Sequence, residues 1–240
     1  THSHHAYQMV VAAEGEGLLK HGDEPWQSYQ AAIVAADAPH AFNGENMFGA
    51  LLLVDPESRE GRWLRRSIKE AITALKLDRL PALREAITRF WEDPPDAVGT
   101  AALVEFIVRQ FCTGIPPQQG LDARVARAIE HIQAMDARVV SLEEVADKVF
   151  LSPSRFAHLF SEEVGIPFRR YLMWRRLTRA MVLVTRGDSL SRAAHAAGFS
   201  DAAHFTRTFN QMFGIPPSAM LGTDEMYEIP APFQLAATTG

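Results

Sequence analysis

Up to about residue 55, apolar positions come in short runs. MVVAA, LL and AAIVAA are broken by Gly15, Gly17, Gly22, Pro25 and Pro39. Several short strands punctuated by turns predict a small β-sandwich or barrel. From about Pro56 the period changes. Trp63, Leu64, Ile68, Ile72 and Leu75 recur at helical spacing, as do Leu80, Leu83, Ile87, Phe90 and Trp91, until Pro94 and Pro95 end the run. A third apolar helix is expected over about 97–112, carrying Leu103, Val104, Ile107, Val108 and Phe111. GIPPQQG at 114–120 reads as a linker, with two prolines, two glycines and one large apolar residue.

Beyond the linker every pattern is helical. A helix is expected over about 122–135. Ser141 opens the next, with Glu144 three residues later as a capping box. Ser152-Pro153 starts another, with serine as N-cap and proline at the first helical position. A long helix covers about 167–186 and stops at Gly187. Ser189 caps a short helix broken by Gly198, and Ser200 is expected to cap the last, which ends near Gly214. The fold class is therefore α+β, a small N-terminal barrel with helices followed by an all-α domain. The expected division is 1–113, a linker 114–121, a helical domain 122–221, and an acidic tail 222–240 expected to be disordered.

The helical region repeats. Residues 154–171 lie over 203–220 at an offset of 49, matching Phe156 with Phe205, Phe160 with Phe209, and Gly165-Ile166-Pro167 with Gly214-Ile215-Pro216. Upstream the offset is 48, matching Leu142 with Leu190, Ala146 with Ala194 and Ser152 with Ser200. Each copy reads as short helix, tight turn, capped helix, which is the helix-turn-helix pattern. The phenylalanines at i and i+4 anchor the second helix of each copy on the core. The opposite face then carries Ser154, Ala157, His158 and Ser161 in the first copy, with Ser152 and Arg155 at its start. In the second copy it carries Ala203, Thr206, Arg207 and Asn210, with Ser200 and His204 at its edge. Short polar groups and an arginine on such a face suit base edges in a major groove.

Net charge is -5, at first sight wrong for a nucleic-acid binder. The distribution changes that picture. The first 121 residues carry 11 basic against 16 acidic side chains, whereas residues 122–221 carry 13 against 10. From Pro167 to Arg186 there are six arginines and no acid. Arg169, Arg175 and Arg176 are expected to meet phosphate. Arg169, Arg170, Arg175 and Arg176 cannot all do so, because consecutive helical residues point ~100° apart. A single cysteine, Cys112, excludes an intrachain disulfide framework and fits a reducing cytoplasm. No apolar run approaches the ~18 residues of a spanning helix, and no leader pattern opens the chain.

LSPSRFAHLF (151–160) and AAGFSDAAHFTRTFNQMFGIPPSAM (196–220) resemble the DNA-binding domain of the AraC/XylS family. The resemblance covers the last ~100 residues. It implies a non-enzymatic transcription regulator with two helix-turn-helix units on one linking helix, each placing a recognition helix in successive major grooves. Its implied partners are double-stranded DNA, a small-molecule effector, a second copy of the chain and RNA polymerase. One departure is Phe150, which stands where the second unit has Gly198; a positive φ there would strain phenylalanine.

The N-terminal segment resembles the cupin barrel that serves many regulators of this family as effector domain. Tyr7, Met9, Trp26, His40 and Phe42, with His4, are candidates to line its interior. His2 and His4 share one strand face and, with His40, form a candidate imidazole set for a divalent metal. The match to the cupin metal motif is partial, because Glu14 lies too far from His4. No cofactor is expected; the alternative is a metal-responsive regulator or a cupin-type metalloenzyme using these histidines. Ile107, Val108 and Phe111 form an apolar stripe; rather than packing on the barrel alone, one of the helices in 61–112 is expected to bury part of its face against a second subunit.

Overall fold

The computed structural model describes residues 1–117, 120–135 and 140–218. The expected tail 222–240, the end of the helical domain at 219–221, and Gln118 and Gln119 of the linker lie outside the described residues.

Among the described residues, seven strands precede or interleave with the first helices: β1 (Tyr7–Gly15), β2 (Gly17–His21), β3 (Gln27–Tyr29), β4 (Ala31–Val34), β5 (His40–Asn43), β6 (Met47–Val54) and β7 (Ile72–Ala74). They form two antiparallel sheets, ordered β6-β1-β4-β7 and β3-β2-β5. The barrel expected from the turn spacing is thus a two-sheet arrangement among the described residues. Alternation along β1 divides its side chains. Tyr7, Met9 and Val11 face one way, into a core completed by the helices α1 (Arg59–Ser67), α2 (Leu80–Glu92) and α3 (Ala97–Phe111). Val10 faces the other way, with Leu19, Ala32, Val34 and Phe42, into a small apolar layer to which both sheets contribute.

The helical spacing that began at Trp63 does not run to Leu75. After Ser67 the chain turns, and Ile72–Ala74 pairs with β4 as an edge strand. Ile72 packs against the layer between the sheets, so a strand contact overrode a helical period that Trp63 and Leu64 set in α1 alone. Ile107, Val108 and Phe111 are buried in the chain's own first core. That stripe therefore has an occupant within one subunit.

The C-terminal half is α4 (Ala123–Ala134), α5 (Leu142–Lys148), α6 (Pro153–Val164), α7 (Phe168–Thr185), α8 (Leu190–Ala196) and α9 (Ala202–Phe213). Ser141, Ser152 and Ser189 cap α5, α6 and α8 as their positions predict, each accepting a backbone N–H three residues on. The last helix is a correction. Asp201, not Ser200, is its N-cap, accepting from His204 N at 2.7 Å. The Ser200 hydroxyl instead lies 3.1 Å from Asp201 Oδ2 and 3.2 Å from His204 Nδ1. Gly165 and Gly214 end α6 and α9 in left-handed conformation at φ 95° and 73°.

Two separate aromatic cores hold the repeats. Phe156 and Phe160 pack on Phe168 and Tyr171 of α7. Phe205, Phe209 and Phe213 join Trp174, Leu177 and Ala180 on the later turns of α7. The second core also takes in Ala6 and Leu53 of the N-terminal half. The linking helix is therefore a spine between both units, and the second unit packs directly on the sheet region.

Candidate nucleic-acid interface

The two-copy pattern places one helix face outward twice. On α6, Ser154, Arg155 and His158 are exposed while Ala157 and Ser161 are half-buried; Phe156 and Phe160 are fully buried behind them. On α9, Ala203, Arg207 and Asn210 are exposed and His204 and Thr206 half-buried, over the buried Phe205 and Phe209. Every predicted recognition position thus lies on the face turned from its core. Ser152 and Ser200 are exposed at the helix starts. The electrostatics differ between the copies. His158 lies 3.4 Å from Glu162, so an acid stands on that face, whereas Arg207 projects without an acid on its own helix. Asp201, at the cap, is held below the usual carboxylate range by the backbone N–H of His204 and the Ser200 hydroxyl.

Both turns preceding these helices use a left-handed residue. Gly198 has φ 84° and Phe150 has φ 56°. The two turns therefore share one geometry despite the change of residue. In the first, phenylalanine carries the strain, with its ring 88% exposed.

The arginines of α7 divide. Arg169 is exposed and Arg176 half-buried, and both remain suited to phosphate. Arg175 does not. Its guanidinium lies 3.7 Å from Asp55 Oδ2 and is 20% exposed, so it faces the N-terminal half in this conformation. Arg170 likewise pairs with Asp37 at 2.9 Å. Asp37 and Asp55 were invisible to sequence reasoning, since neither sits near α7 in the chain. Trp174 adds the third contact, donating from its indole to Asp55 Oδ1 at 2.8 Å. Burial first, and Glu57 second, push the Asp55 carboxyl up to about 6.

The six effector-lining candidates are not brought together. Tyr7 and Met9 point into the helix-covered core. Phe42 packs in the layer between the sheets. Trp26 is 47% exposed, with the Lys20 ammonium 5.4 Å from its ring. His4 and His40 lie elsewhere, in a cluster with His2 at the edge of the three-stranded sheet. There His2 and His40 exchange both backbone hydrogen bonds, at 2.8 and 2.9 Å. One ring nitrogen from each of His2, His4 and His40 lies within 4.8 Å of the others. His4 Nε2 and His40 Nε2 both stand 3.2 Å from Gln8 Oε1. Gln8 is a member that sequence reasoning missed. Its signal was parity, since His2, His4 and Gln8 are all even positions, the last of them in β1. Burial lowers His2 to about 3 and His4 to about 4, reinforced by the neighbouring His40. Burial also lowers His40, so this cluster favours neutral imidazole.

Among the described residues no helix is long and apolar enough to cross a membrane. Comparison with known proteins places the exposed helices in context. Residues 145–222 match the family described as "Helix-turn-helix domain". The regulatory protein PocR of Salmonella typhimurium is 32% identical over 99 residues, 41% of this chain and 33% of PocR. The transcriptional activator RhaS of Escherichia fergusonii is 32% identical over 146 residues, 58% of this chain and 52% of RhaS. The chain spans between about a quarter and about half of the curated relatives it first matches. Among solved structures, ToxT from Vibrio cholerae shares the fold over 92% of this chain and 90% of its own, with a TM-score of 0.59 at 13% identity. That likeness extends the fold match across the sheet region. The repeat, its caps and turns, and the matched relatives agree: residues 145–222 are a helix-turn-helix domain similar to those regions of the regulators PocR and RhaS.

Proposed function

We propose that the chain is a sequence-specific DNA-binding transcription regulator of the AraC type. In this reading α6 and α9 are recognition helices, residues 122–221 bind DNA, and residues 1–113 sense a small-molecule effector and dimerise. The observation that carries it is the duplicated outward face, which keeps Ser154, Arg155 and His158 on one helix and Ala203, Arg207 and Asn210 on the other exposed over fully buried phenylalanine pairs. Two such helices on one spine suit successive major grooves. Arg169 and Arg176 supply phosphate contacts that fix register. Double-stranded DNA is the partner, with a second copy of the chain and RNA polymerase as further partners, and the setting is cytoplasmic. The relatives' names, PocR as a regulatory protein and RhaS as a transcriptional activator, support the class.

The test is selection of bound sequences from random duplex DNA by the full chain, followed by binding at several salt concentrations. The expected result is an enriched motif in two parts and an affinity that falls steeply with salt, with slope about -0.9 per phosphate neutralised. No enrichment together with a salt-independent affinity would overturn the reading.

A further inference from the structure

Three imidazoles meet at the seam between the two halves of the molecule, and the DNA-binding role makes no use of them. His40 Nδ1 lies 2.9 Å from the Ala38 carbonyl, which only accepts. That nitrogen therefore carries the ring proton, and Nε2 presents a bare lone pair to the cluster. A metal-ligating histidine is oriented in the same way, by a carbonyl on its other nitrogen. The lone pair is aimed at Gln8 Oε1, 3.2 Å away, which has no proton to give. His4 Nε2 reaches the same oxygen at 3.2 Å. As placed, Gln8 Nε2 is buried with no acceptor among the described residues. Turning the amide over would aim its N–H groups at both rings. Either way, two imidazole nitrogens and one amide end converge on one small, enclosed point, with His2 closing the third side.

The surroundings belong to the other half of the molecule. The His4 ring stacks 6.0 Å from Trp174 of α7 and lies 5.6 Å from Phe213 at the end of α9. A Cβ on Gly214 would come within 2.7 Å of His2 Nδ1. The cluster is thus walled by the linking helix and by the end of the second recognition helix.

We propose that His2, His4 and His40 form a binding site for a divalent transition metal, which braces the second helix-turn-helix unit against the N-terminal half. Neutral imidazoles suit zinc, cobalt, nickel or copper rather than magnesium or calcium. Metal–nitrogen bonds of ~2.0–2.1 Å at tetrahedral angles hold two ligand nitrogens ~3.4 Å apart, so the present set, within 4.8 Å, closes by up to ~1.4 Å. His2 is half-buried whereas His4 and His40 are buried, and one bridge pairs it with His40. The His2 ring already lies against Gly214 at the end of α9, so holding His2 holds that contact. The site stands on the cluster itself; only its consequence for DNA binding rests on the proposed function.

The experiment uses the tag-free full chain, titrated with Co2+ alone and without DNA. The expected result is one equivalent bound, with visible absorption of low-coordinate Co2+ that Zn2+ displaces. Bound Co2+ quenches tryptophan emission, and most of that quenching is absent in Trp174→Phe. His2→Ala and His40→Ala each lower affinity by more than the ~10–100-fold typical of losing an outer-shell partner. His195→Ala, on the surface, leaves it unchanged. His2→Ala removes a half-buried group, and its folding is checked by circular dichroism. Absence of saturable binding, or binding that His2→Ala and His40→Ala leave intact, would overturn the site and mean histidines that only pack. Neither result bears on whether the chain selects DNA, which is measured separately.

Discussion

The Trp174 indole donates to Asp55 Oδ1 at 2.8 Å across 119 positions of sequence. This bond ties the spine of the helical half to the end of β6. Arg175 faces the same carboxylate at 3.7 Å, and Arg170 reaches Asp37 at 2.9 Å. One side of an arginine-rich helix is therefore committed to acids of the N-terminal half. Asp55→Ala strands a buried indole N–H and is expected to cost about 1–3 kcal/mol. Asp55→Asn keeps an acceptor and should cost less. Urea unfolding of both variants checks the difference; equal loss would mean that the charge, not the hydrogen bond, matters.

The same carboxyl gives stability a pH dependence. Folding raises Asp55 from the ordinary 3.8 to about 6, so the fold favours its protonated form. Its contribution is full below about 4 and is lost as pH rises through about 6. Asp55→Asn should flatten the fall in stability across that window. Thermal melts of the two proteins at several pH values make the comparison. A variant whose profile matches the parent's throughout the window would assign the dependence to other groups.

Phe150 holds a left-handed backbone with its ring 88% exposed. Such a conformation costs a residue with a Cβ roughly 1–2 kcal/mol, and asparagine tolerates it better. Phe150→Asn is expected to stabilise the protein by up to about 1 kcal/mol, measured by denaturant midpoint. A loss of stability would show that the exposed ring packs in solution.

The helical half was legible because its signals are local. Caps, glycine stops and phenylalanine pairs at i and i+4 all act within one turn or two, and they repeat. Ser200 misled because Asp201, one residue later, competes for the same N–H groups and accepts more strongly as a charged cap. The sheet region was less legible. Ile72 continues a helical period and yet pairs with β4, since strand partners are chosen over distance. The histidine cluster was half visible: the parity of His2 and His4 pointed to one face, but Gln8 carries no charge to advertise it. The seam contacts Asp37–Arg170 and Asp55–Trp174 had no local signal at all.

That seam sorts the arginines of α7. Arg169→Ala, at an exposed position, is expected to weaken binding to all duplexes alike and to reduce the salt slope by roughly 1. Arg175→Ala, whose partner is Asp55, should leave the slope unchanged. Binding isotherms at four or more salt concentrations separate the two. A slope lowered by Arg175→Ala and not by Arg169→Ala would mean that the seam opens on DNA.

In the proposed function α9 reads bases. Arg207 stands exposed between the buried Phe205 and Phe209, and a guanidinium can donate two parallel hydrogen bonds to the O6 and N7 of guanine. The direct measurement is the affinity of Arg207→Ala, folded by circular dichroism, for the selected operator, its single-base variants and random DNA. The predicted result is a loss of about 1–3 kcal/mol on the operator, with preference relaxed at one base pair. An equal loss on every duplex, random DNA included, would make Arg207 a backbone contact and contradict the assignment.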